Sequence, residues 1–86
     1  MTRPAFVAAE AVQLAFAAAT ARHQRILLDC FRDLATHPSR SPDFFETDAA
    51  GRKVSVISHD EWLISYRADH TVRQIVIIEL TFVDGA

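Results

Sequence analysis

The sequence predicts an α+β domain, a helical hairpin packed on a small antiparallel β-meander of three to four strands. Three observations predict it. No Gly or Pro interrupts the run from Ala5 to His37, which is dominated by Ala with Leu, Arg and Gln and includes Glu10, residue types that cost least in a helix. After Pro38 the texture changes to short apolar runs separated by turn residues. The last of these runs, "QIVIIELTFV", begins with apolar residues on both alternations, as a strand with neighbours on both sides requires.

The helical part is expected over about residues 5–36. Pro4 precedes it, where a missing N–H does no harm, and Pro38 closes it. One unbroken helix of that length would span roughly 50 Å, too long for a chain of 86 residues, so a break is expected. Thr20 is the residue suited to cap a second helix. In that second helix Leu27, Cys30, Phe31 and Leu34 form one stripe, and Arg25 and Asp29 are spaced to pair across one turn. The first helix has only a narrow polar stripe of Glu10, Gln13 and Thr20. Its Phe6, Val7, Val12, Leu14 and Phe16 exceed what one small core covers, and are expected to meet a partner protein or a second copy of the chain.

The strands are expected over about residues 43–83. "FFETD" leads through "AAG", where Gly51 suits a left-handed turn, to "RKVSVIS"; the turn "HDE" leads to "WLISYRA"; a turn at "DHTV" leads to the last run. In that last strand Val76, Ile78, Leu80 and Phe82 are expected on one face, and Ile75 and Ile77 with Glu79 and Thr81 on the other. Short connections make neighbours antiparallel. The whole chain, residues 1–86, reads as a single domain.

Composition narrows the function. A net charge of −2 lacks the excess of Lys and Arg that tight nucleic-acid binding draws on. The Ala-rich start is about 17 residues long and carries Glu10 and Gln13, so it reads as a soluble helix, not a membrane span or leader. A lone Cys30 in an apolar stripe reads as a reduced, inert thiol of a cytoplasmic protein.

Motifs for chemistry are sparse. His23, His37, His59 and His70 have no metal-ligand spacing, and there is no phosphate loop and no nucleophile elbow, so neither metal nor cofactor is expected. What remains is basic and aromatic. Arg52, Lys53, Arg67 and Arg73 sit at strand ends that a meander brings to one edge, where they form a binding surface or only discourage edge-to-edge pairing. Tyr66 and Arg67 lie at the end of "EWLISYRAD".

The stretch from Arg22 to Phe82 resembles the RelE/ParE toxin superfamily of bacterial toxin–antitoxin modules, whose members include plasmid-stabilisation toxins. The likeness lies in "ILLDCFRDLATHP", "ETDAAGRKVSVIS", "EWLISYRAD" and "QIVIIEL". The resemblance implies a helical hairpin on a small sheet, a toxin-like role exerted through protein binding, and an antitoxin that neutralises it. Ribosome-dependent mRNA endonucleases of this family are basic, and carry an Arg where alignment on Tyr66 places Leu63. Only Tyr66 and Arg67 match the strand motif. Arg67 or Arg52 could stabilise charge and Tyr66 is the third catalytic candidate, but no acid–base pair accompanies them. A non-toxic interaction or dimerisation domain and an mRNA endonuclease are the alternatives.

Overall fold

The computed structural model describes residues 5–69, 71, 72 and 74–83. Strand β1 (Ala5–Ala8) precedes helices α1 (Glu10–Ala18) and α2 (Ala21–Thr36), and strands β2 (Phe44–Thr47), β3 (Lys53–His59), β4 (Trp62–Asp69) and β5 (Gln74–Phe82) follow. The α+β class and the two helices on one small sheet match the sequence reading. The sheet has five strands in the order β1-β5-β4-β3-β2, two of which need particular comment.

The first is β1, which the sequence reading merged into the opening helix. Ala5 to Ala8 instead run parallel to β5, in register from Ala5 opposite Gln74 to Ala8 opposite Ile77. The Ala9 N–H then donates to the Ile77 carbonyl at 3.0 Å. Helix propensity is worth a few tenths of a kcal/mol per residue. Pairing the otherwise open edge of β5, while Phe6 and Ala8 pack against the core, outweighs it. The sheet is therefore mixed and not purely antiparallel.

The second is β5. Ser65 faces Glu79 and Tyr66 faces Ile77, so Ile78 is left without a partner on β4. This bulge resets the alternation. Ile75 and Ile77 before it join Leu80 after it on the helix side, where the first two are core and the third packs against them. A strict alternation had separated these residues. The same core takes Ile57, Ile64 and Tyr66 from the sheet and Leu27, Cys30, Phe31 and Leu34 from α2, the stripe expected from the sequence.

The break between the helices falls at Ala19 and Thr20. Thr20 caps α2 by accepting from the His23 N–H at 3.3 Å, and the Gln24 side-chain amide donates to the Phe16 carbonyl at 2.9 Å, tying the two helices together. The expected Arg25–Asp29 pair does not form; Asp33 is the acidic residue of α2 that pairs, with His37 and Arg40. Gly51 has φ of 80° in the β2–β3 turn, where the Asp48 carboxylate accepts from the N–H groups of Ala50 and Arg52.

Cys30 is 2% exposed, and burial pushes its thiol up to about 11 from an ordinary 9.0, against the opposing pull of Arg40. A thiol that ionises more readily when unfolded stabilises the fold fully below pH 9.0, and that stability is lost as pH rises towards 11. The expected loss is about 2 kcal/mol, and burial, which also raises the Tyr66 hydroxyl, adds to it. Denaturation at several pH values checks this: Cys30→Ala should lose less stability than the wild type across that window, and parallel profiles would refute the assignment.

Candidate functional site

The loop after α2 builds one wall of a cleft. The His37 N–H closes the helix on the Asp33 carbonyl, and the Arg40 N–H donates to the His37 carbonyl at 3.0 Å. At its far end the Asp43 N–H donates to Val56, and the Asp43 carboxylate accepts from the Ser58 N–H at 2.6 Å. Fixed at both ends, the loop holds Arg40 beside the ends of β3 and β4. The Arg40 guanidinium donates to the Asp33 carboxylate.

The cleft has a volume of about 510 Å³ and gathers Arg40, Lys53, Ser55, Tyr66 and Arg67, with Phe45 at its edge. The Lys53 ammonium lies 3.9 Å from the centre of the Phe45 ring, a cation–π contact that holds an exposed aromatic ring in place. Tyr66 is 3% exposed; burial raises its hydroxyl, with nearby Arg40 offsetting part of the effect. At neutral pH the hydroxyl is therefore a hydrogen-bond donor and not a base. Three cations line the cleft with the hydroxyls of Ser39, Ser55 and Tyr66, a chemistry suited to an anion, although Arg40 is already paired with Asp33. Among the described residues no histidine lines the cleft. His37 lies in an adjoining hollow of about 640 Å³ that shares Arg40, with its Nδ1 3.3 Å from the Asp33 carboxylate.

The predicted basic edge is thus partly assembled. Lys53 and Arg67 line the cleft. Arg52 does not line it: its guanidinium pairs with Asp48 at 3.2 Å in the β2–β3 turn. That carboxyl is held below its usual range, first by the Arg52 backbone N–H. Arg73 lies outside the described residues. Arg40 was not anticipated, because nothing in "HPSRSPD" says which way a loop arginine turns.

A second surface lies where β1, α1 and α2 meet. Phe6, Ala8, Val12, Phe16, Leu28 and Phe31 line a groove of about 180 Å³, with Gln13 its polar member. The Gln13 side-chain amide is committed to the Ala8 carbonyl at 2.8 Å. Leu28 is half-buried on the outer side of α2, with exposed Arg25 and Arg32 one turn to either side. Among the described residues neither arginine takes part in an ion pair. Of the five residues expected at a partner interface, Val12 is 1% exposed and belongs to the core. The α1 register turns it inward, to the floor of the groove. Phe6 and Phe16 line the groove, while Val7 at 42% and Leu14 at 65% are exposed.

Among the described residues no three His, Cys, Asp or Glu side chains gather as a metal site, and no helix is long and apolar enough to cross a membrane. No family model matches the sequence, and no curated protein matches it. Among solved structures, the chain is similar to one in the crystal structure of the archaeal RelE–RelB complex from Pyrococcus horikoshii OT3. The TM-score is 0.73 at 16% identity, and the match covers 100% of both chains. The fold is RelE-like. At that identity the likeness lies in the backbone arrangement, and the RelE-like scaffold carries this chain's own cleft and groove.

Proposed function

We propose that the chain is the toxin-like component of a type II toxin–antitoxin module, acting by binding a protein target without catalysis of its own and neutralised by an antitoxin. The observation that carries the proposal is the apolar groove at Phe16, Leu28 and Phe31 with its unpaired cationic rim. Such a surface suits an acidic amphipathic segment with a large apolar anchor. The RelE-like fold, met in a complex with RelB, supports the same reading. Inducible expression with soluble protein confirmed should arrest growth, and co-expression of a neighbouring antitoxin should relieve the arrest. Unaffected growth at high soluble expression would refute it.

The cleft favours a second reading, an mRNA endonuclease dependent on the ribosome. Arg40, Lys53 and Arg67 converge there despite the net charge of −2. With Tyr66 protonated and no imidazole among the described residues of the cleft, none of those residues supplies an obvious base. Transcript cleavage in arrested cells that disappears on Arg40→Ala would favour this reading over protein binding. Homodimerisation through exposed Val7 and Leu14 is the non-toxic alternative, and light scattering at high concentration tests it.

A further inference from the structure

His23, in the first turn of α2, and Trp62, the first residue of β4, are joined by a hydrogen bond across 39 positions of sequence. The Trp62 indole N–H donates to His23 Nδ1 at 2.9 Å in a part-buried setting. An indole nitrogen only donates, so Nδ1 must present a lone pair and the neutral ring must carry its hydrogen on Nε2. One tautomer is thereby selected. Phe82 closes the cluster, with its ring centre 5.4 Å from that of His23 at 87° and 5.1 Å from that of Trp62 at 66°. Trp62 is 7% exposed and Phe82 is 46% exposed, so the cluster is dry inside and open to water along one side.

We propose that this cluster is a pH-sensitive clasp holding the N-terminal turn of α2 to the ends of β4 and β5. While the imidazole is neutral, it accepts the indole hydrogen. Protonation replaces the Nδ1 lone pair with an N–H, so that two donors face each other at hydrogen-bond distance. Contact is present with the neutral ring and lost as pH falls. An imidazolium is attracted to aromatic faces, which opposes opening. Towards Trp62 that attraction is weak, because Nδ1 is aimed at the indole N–H on the positive edge of the ring. The Phe82 ring, 5.4 Å away, can hold the charged imidazole in the cluster after the indole bond is lost.

The groups packed on His23 from the sheet, Trp62 and Phe82, are uncharged. Arg22 adjoins it on α2, and His59, Asp60 and Glu61 belong to the hairpin that carries Trp62, with His59 directly opposite Trp62. Next to the clasp, the Val83 N–H donates to the Glu61 carbonyl at 2.7 Å, so the end of β5 should loosen with it. The clasp does not depend on the role proposed above.

Trp62 is the chain's one tryptophan, so the intact protein reports on the clasp directly. Its fluorescence and its imidazole nitrogen resonances would be followed from about pH 8 to about pH 5, the range in which imidazoles titrate. At the upper end Nδ1 of His23 should be the unprotonated nitrogen. As pH falls, emission should weaken and shift to the red, reversibly, and the indole N–H should exchange faster with solvent. His23→Gln, whose amide oxygen accepts the same bond without titrating, should give a flat profile, while His59→Gln should keep the wild-type one. A flat wild-type profile, an unchanged titration in His23→Gln, or Nε2 as the unprotonated nitrogen would each overturn the proposal. If His23→Gln does not fold, the tautomer in the wild-type protein decides.

Discussion

Ile64→Ala is expected to remove about 3–4 kcal/mol of stability. Ile64 is 0% exposed, lies on β4 between Ile57 of β3 and Leu80 of β5, and faces the helices. Truncation loses the transfer free energy of the removed carbons and leaves a cavity. The neighbours cannot fill it cheaply, because the two flanking strands fix the backbone on either side. A domain of this size has a total stability of roughly 5–10 kcal/mol, so a large share disappears. The midpoint of thermal unfolding should drop by about 15–25 °C. Leu14→Ala, at a position 65% exposed, should stay within about 0.5 kcal/mol of wild type. Urea titrations of both variants check the contrast, and a cost below about 1 kcal/mol for Ile64→Ala would mean that the core lies elsewhere.

Leu28→Glu is expected to abolish neutralisation by an antitoxin while sparing the fold. Leu28 is half-buried on the outer side of α2 and lines the groove with Phe16 and Phe31. A carboxylate there remains hydrated in the free protein, so its stability cost is about 1 kcal/mol. In a complex that fills the groove, the same carboxylate loses its water with no partner. Truncating or charging a buried anchor typically costs about 2–4 kcal/mol of binding, or roughly 30- to 1,000-fold in Kd. Reversing the rim with Arg25→Glu and Arg32→Glu should act differently, slowing association and reducing its salt dependence. Calorimetry with the antitoxin, alongside growth relief in cells, separates the two effects. Wild-type affinity for Leu28→Glu would move the docking surface away from this groove.

The parts of the fold legible in the sequence are those governed by local rules. The stripe Leu27, Cys30, Phe31 and Leu34 is a matter of helical period, the Thr20 cap of hydrogen-bond chemistry, and Gly51 of a positive φ that few residues adopt. What escaped depends on partners distant in sequence. "AFVA" carries no mark that distinguishes a helix start from an edge strand; β5 makes the difference. The bulge at Ile78 is invisible in "QIVIIEL", because alternation has no way to register a residue that drops out of a ladder. In the cleft, Lys53 and Arg67 were predictable as strand-end charges, whereas Arg40 is placed by a loop anchored through Asp43. Arg52 carried the same strand-end signal, but the carboxylate of Asp48 in its own turn holds it.

The parallel pairing of β1 with β5 has a consequence for how the chain is made. Ala5 meets Gln74, so β1 leaves the ribosome well before β5 and waits for it before finding its place. Until β5 emerges, β4 has only β3 beside it and Ile57, Ile64 and Phe31 lack the side chains of Ile75 and Ile77 that complete their core. Closing so long a loop is slow. A nascent chain stalled before Gln74 should therefore be open to protease and aggregation, and folded protein should form only once synthesis has passed β5.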